Sequence, residues 1–139
     1  MSAKVEFASS EWISYARQAI VESCEGFDLD GIESSFCEEF TDPPAHLSPD
    51  GSSLGWHVVV SNGTVLVGAG VLADADVTIT VPYEKVLPYA RLTNAEADGP
   101  DREEFRRNYV RVTGDMEGYR TIGLPWTGTL HDILALVTA

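Results

Sequence analysis

The chain has 139 residues, 44% of them hydrophobic, with 9 Lys/Arg against 22 Asp/Glu and a formal net charge of −13. That length suits one domain able to bury its own core without disulfides or metals. So acidic a balance argues against nucleic-acid binding, which needs clustered cations to displace counterions, and against unaided docking on anionic lipid.

The acidity is uneven. Residues 1–100 carry a charge of −12 and residues 101–139 only −1, because five of the nine basic residues fall in the last part. Cys24 and Cys37 are the only cysteines. No second pair completes a zinc site, so both read as buried free thiols. The first residues lack the basic start and apolar run of a secretory signal, and no stretch approaches the roughly 20 apolar residues of a membrane span. A cytoplasmic location is expected.

Ser9-Ser10-Glu11-Trp12 reads as a helix start, with a serine cap and an acid in the first turn. Trp12, Ile13, Ala16, Ala19, Ile20 and Cys24 then recur at helical spacing, which predicts an amphipathic helix over residues 10–25 with Gly26 as its stop. Residues 31–41 read as a strand with Ile32, Ser34, Phe36, Glu38 and Phe40 on one face. Glu38 breaks that face. It marks either an edge strand whose end reaches solvent, the favoured reading, or a bulge or a functional carboxylate. Residues 42–53 form a polar Pro/Ser/Asp loop.

Leu54–Ser61 and Thr64–Gly70 flank Asn62-Gly63, the preferred two-residue hairpin turn. Pairing across it sets Val60 opposite Val65, Val58 opposite Val67 and Trp56 opposite Ala69, all on the core face. His57, Val59, Leu66 and Gly68 take the other face. Val77–Val81 alternates as a further strand, with Val77, Ile79 and Val81 inward.

Residues 83–92 have helical spacing, kinked at Pro88. Residues 93–101 read as a loop, 102–107 as a short helix, and Tyr109–Thr113 as the last strand with Val110 and Val112 inward. Gly114-Asp115 turns the chain. Residues 116–122 make one or two helical turns, and residues 128–138 a closing helix carrying Leu130, Ile133, Leu134 and Val137.

Catalytic signatures are weak. Gly68-Ala69-Gly70-Val71-Leu72-Ala73 fits a dinucleotide fingerprint in letters, but a strand follows too soon for the helix that would hold a pyrophosphate. His46, His57 and His131 show no metal-binding spacing. Glu38 and Glu39 are strand neighbours and point to opposite faces, so that spacing makes no carboxylate pair. The arginines Arg102, Arg106, Arg107, Arg111 and Arg120 read first as partners of local acids such as Glu103 and Glu104. The alternative is a polar mouth for an anionic head group.

The order of elements, with Trp56-His57-Val58-Val59-Val60 before Asn62-Gly63, then Asp74-Ala75-Asp76-Val77-Thr78-Ile79-Thr80-Val81, then Val110-Arg111-Val112-Thr113-Gly114-Asp115-Met116, resembles the sterol-carrier-protein type 2-like family. The likeness runs from about Ser10 to the end. It implies a five-stranded sheet backed by helices around an apolar tunnel, in a family that binds fatty acids, acyl-CoAs, sterols and other lipids, alone or fused to enzymes. Three departures stand out. The chain is far more acidic than the basic lipid-transfer members. Gly123, Pro125, Trp126 and Gly128 interrupt the segment where an apolar helix is expected. Val137-Thr138-Ala139 is no peroxisomal signal.

The expectation is therefore a single α+β domain over 1–139, with about five strands in a mostly antiparallel sheet and helices packed around an apolar cavity. Its function is expected to be non-catalytic binding or carriage of a lipid, fatty acyl or sterol-like molecule. Phe36, Phe40, Trp56, Leu87, Met116, Tyr119 and Trp126 are expected to line the cavity, since aromatics and Met give large, adaptable contact surfaces. No cofactor, metal, nucleic acid or stable membrane association is expected, and a homo-oligomer stays open. One alternative is a small enzyme on a steroid- or polyketide-like substrate, with Glu38, His57 or Asp115 as acid/base and Tyr119 as donor. Another is an interaction domain without a ligand.

Overall fold

A computed structural model describes residues 3–139. At its amino end the Ser9 hydroxyl accepts the Trp12 amide at 3.2 Å and starts α1 (Ser10–Ser23). This satisfies one of the amide groups that every helix start leaves free. Trp12, Ile13, Ala16 and Ile20 then share the buried face of the helix.

Five strands follow among the described residues: β1 (Ser34–Thr41), β2 (Leu54–Ser61), β3 (Thr64–Ala69), β4 (Val77–Pro82) and β5 (Arg111–Gly114). They form one sheet in the order β3-β2-β1-β4-β5. Three of its pairings are antiparallel, and β1 runs parallel to β4. Parallel neighbours need a crossover, and here the β2–β3 hairpin lies within it. The fold is α+β with a mostly antiparallel, open sheet, as the sequence predicts.

The hairpin register also matches the prediction. Val60 faces Val65, Val58 faces Val67, and Trp56 faces Ala69. Asn62 and Gly63 both hold positive φ, 53° and 74°, the geometry of the two-residue turn whose twist suits the strands it joins. Trp56, Val58 and Val60 are buried, whereas Leu66 on the opposite face is 66% exposed.

β1 departs from the prediction. It is the central strand, not an edge, because its other side is taken by β4 from much later in the chain. Its pairing is regular through Glu38, so there is no bulge either. Glu38 sits in a cross-sheet row with Trp56 on one side and Ile79 on the other.

The helices are α2 (Tyr83–Ala90), α3 (Asn94–Ala97), α4 (Pro100–Tyr109), α5 (Met116–Thr121) and α6 (Leu130–Ala135). Pro88 lies inside α2 without ending it. The loop predicted at 93–101 contains a turn of helix, because Thr93 and Glu96 cap each other reciprocally. α4 runs through Tyr109, so β5 begins only at Arg111. Val112 pairs with Ile79 on the expected face but stays 46% exposed, since that end of the sheet borders open space. Gly114, at φ 97°, lets β5 meet β4, where a Cβ would collide with the Asp76 carbonyl.

α1 packs on β3 and α6, and α2 packs on β4 and α6. The two ends of the chain meet in a short parallel bridge. The Val5 amide donates to the Val137 carbonyl at 2.7 Å, and the Ala139 amide to the Val5 carbonyl at 2.7 Å. The Trp12 indole N–H donates to the Thr138 hydroxyl at 3.1 Å, and the Tyr83 hydroxyl to the Phe7 carbonyl at 2.9 Å. These bonds hold Phe7 and Trp12 against the helix-covered face of the sheet.

Candidate functional site

Between that face and the helices lies a cavity of about 400 Å³. Its sheet wall is Phe36 and Glu38 from β1, Trp56 from β2 and Ile79 from β4. Phe7 and Trp12 close one side. Val86 and Ala90 of α2, Met116 and Tyr119 of α5, Trp126, and Leu130 and Leu134 of α6 supply the helical side. A second cavity of about 330 Å³ adjoins it over β5 and α4. The two share Ile79, Val86, Arg102, Arg106, Met116, Arg120 and His131.

Six aromatic residues border the larger cavity, and most are in ring contact. Phe7 and Trp12 meet edge-on with centroids 5.1 Å apart, Trp12 and Trp56 at 5.9 Å, Phe36 and Trp56 at 6.2 Å, and Phe36 stacks on Tyr119 at 5.2 Å. Interlocked rings in these orientations make stiff walls. Trp126 is buried, although Gly123, Pro125 and Gly128 surround it. Residues 122–129 wind into turns that press the indole into the core.

Of the residues singled out in the sequence, Phe36, Trp56, Met116, Tyr119 and Trp126 border the cavity. Phe40 and Leu87 do not. Phe40 is buried one pleat further along β1, its ring 4.8 Å from Phe7, and Leu87 packs against the core without lining the cavity. Phe7 and Trp12 are wall residues that the sequence does not reveal. Trp12 carries only the helical periodicity of a core position, and Phe7 precedes any periodic segment, so neither has a local signal for the cavity.

Glu38 is the polar feature of the sheet wall. One carboxylate oxygen, Oε1, accepts the Trp56 indole N–H at 2.9 Å. Burial among apolar side chains pushes the Glu38 carboxyl up to about 7, partly offset by that hydrogen bond. Burial likewise pushes the Tyr119 hydroxyl up to about 12, against a smaller opposing effect of the Trp126 side chain.

The other candidate acid/base groups lie elsewhere. His57 projects from the opposite face of β2 over Gly68, with Nδ1 at 2.9 Å from the Gly70 carbonyl. The Asp115 carboxylate accepts the Gly118 amide at 2.9 Å and so caps α5. His46 pairs with Glu6 at 2.7 Å, and His131, at the cavity rim, has Nε2 at 2.8 Å from the Leu92 carbonyl. Among the described residues no group of three or more His, Cys, Asp or Glu is placed to hold a metal.

Arg102, Arg106 and Arg120 line the opening. Arg102 donates to the Asn94 side-chain oxygen at 2.8 Å. Among the described residues none of the three lies within ion-pair distance of a carboxylate, so the predicted pairing with neighbouring acids is not what occupies them. They give an acidic protein a locally cationic rim.

This fold recurs in solved structures. A crystal structure of sterol carrier protein 2 matches with a TM-score of 0.60 at 13% identity, over 96% of this chain and 100% of that one. The fold is that of sterol carrier protein 2. The same arrangement occurs in the solution structure of a conserved hypothetical protein from Thermus thermophilus, with a TM-score of 0.58 at 14% identity over 99% of this chain and 94% of that one. Sterol carrier protein domain 2 of Helicoverpa armigera gives 0.55 at 14% identity, over 97% and 95%. No family model matches the sequence, and no curated protein matches it. At this level of identity the likeness is one of fold.

Proposed function

We propose that this protein binds an apolar small molecule, lipid, fatty acyl or sterol-like, in the cavity between the sheet and its helices, as a carrier or sensor rather than a catalyst. The observation that carries the reading is the aromatic lining of a cavity of about 400 Å³. That volume falls within the roughly 300–1,000 Å³ of small-molecule sites, which combine apolar walls with a few placed polar groups. Phe36, Trp56, Met116, Tyr119 and Trp126 form the contact surface, joined by Phe7 and Trp12. Arg102, Arg106 and Arg120 suit an anionic or strongly polar group at the rim. The proteins of the same fold are named for carrying sterols, which supports the ligand class. In this reading the whole chain is one ligand-binding domain.

Tryptophan fluorescence tests the proposal. Trp12, Trp56 and Trp126 all border the cavity, so titration with a fatty acid or a sterol should change their emission saturably. Trp126→Ala should weaken binding by about tenfold or more, since losing an aromatic anchor often costs about 1–2 kcal/mol. Because Trp126 is as buried as Trp56, its removal should also lower the melting temperature. Unchanged affinity with lowered stability would reduce Trp126 to a packing residue. No saturable response to any apolar probe would end the proposal.

One observation favours a second reading as a small enzyme. A carboxyl titrating at about 7 beside a cavity is suited to general acid/base work, and Tyr119 borders the same space. It would act without His57 and Asp115, which lie elsewhere.

A further inference from the structure

Glu38 occupies a place where a leucine would pack better. Its neighbours across the sheet are Trp56 and Ile79, and it is the only charged side chain on the helix-covered face of the described strands. Its Oε1 serves the Trp56 indole. A glutamine would do that equally well without a charge, so the indole does not explain the carboxyl. Oε2 has no hydrogen-bond partner, yet no buried side-chain oxygen among the described residues lacks one. Oε2 is therefore accessible, and the space it reaches is the cavity that Glu38 lines.

The donors on this wall are already engaged. The Trp56 N–H goes to Glu38, and the Trp12 N–H goes to Thr138 at 3.1 Å. What the sheet wall itself leaves toward the cavity is an acceptor oxygen set among aromatic side chains, a setting that favours a donating or cationic group. The cationic side of the site is at the rim, on Arg102, Arg106 and Arg120. The site is thus polarised, accepting at its sheet wall and donating at its mouth.

We propose that Glu38 is the specificity-determining residue of the cavity, where Oε2 accepts a hydrogen bond from the donating end, hydroxyl or ammonium, of an otherwise apolar ligand. This rests on the cavity being a ligand site. An acyl chain entering with its methyl end leading would leave Oε2 desolvated and unpaired, whereas a donor-tipped chain satisfies it.

The test is calorimetric titration at pH 8 with 1-decanol, decylamine and a methyl ether of the same length that lacks a donor. The wild-type protein should bind the alcohol and the amine about tenfold or more tightly than the ether. In Glu38→Leu that preference should vanish while the ether still binds. Glu38→Gln keeps an acceptor for Trp56 and guards against a folding defect; it should retain part of the alcohol preference and lose the amine preference. A gain for the amine alone identifies charge pairing as the source, and equal gains identify the hydrogen bond. Equal binding of all three probes by the wild type, or a preference that survives in Glu38→Leu, overturns the assignment of Glu38 and leaves the cavity reading standing. Failure of all three to bind either protein overturns both.

Discussion

At the scale of single residues, the Glu38 carboxyl has a measurable signature in the empty protein. Its folded value of about 7 lies above the ordinary carboxylate value of 4.5. The folded state therefore holds the proton more tightly than the unfolded chain, and the resulting stability is full below about pH 4.5 and lost as pH rises through 7. Urea midpoints of the wild type and Glu38→Gln, compared at pH 5 and pH 8, should show the variant gaining relative stability at the higher pH. Parallel behaviour would mean that Glu38 is solvated and carries no burial penalty. In the sequence Glu38 stands out for breaking an apolar face, but its position in the sheet is not legible. A strand's own alternation says which face a residue takes, not how many neighbours the strand has. Those neighbours come from Leu54–Ser61 and Val77–Pro82, and the second pairing closes only after the hairpin intervenes.

At the scale of elements, legibility follows local signals. The β2–β3 hairpin is legible to the residue because Asn62-Gly63 fixes turn type and register together. α1 is legible because a capping serine precedes a long periodic face. The start of the last strand is less so: Val110 alternates with Val112 as strand residues would, yet α4 runs through Tyr109 and Val110 caps it. The cavity walls are legible where bulky side chains lie near Gly and Pro, as with Trp126. They are not for Phe7, which reaches the site only because the chain ends pair through Val5 and Thr138. The hairpin register makes its own prediction. Val58 is 2% exposed and flanked by Phe36 and Val67. Val58→Asp should abolish cooperative unfolding in circular dichroism, because an unpaired buried charge costs several kcal/mol, comparable to the whole stability of a small domain. A normal melting curve for that variant would contradict the register.

At the scale of the molecule, charge and cavity belong to one picture. With −13 overall, the protein should not pellet with phosphatidylserine vesicles at moderate salt, since anionic surfaces attract clustered Lys and Arg. Strong salt-sensitive sedimentation would mean that the rim arginines outweigh the acidic remainder. Among the described residues no helix is long and apolar enough to cross a membrane. Nothing in that surface specifies a cargo, so the central claim rests on the cavity and is tested most directly by native mass spectrometry, as purified and after incubation with a fatty acid. Ligand binding in the cavity should give a one-to-one adduct, the 15.1 kDa chain plus one lipid, which disappears when the protein is denatured. A bare chain under both conditions, or a defined oligomer that carries no lipid, would contradict it.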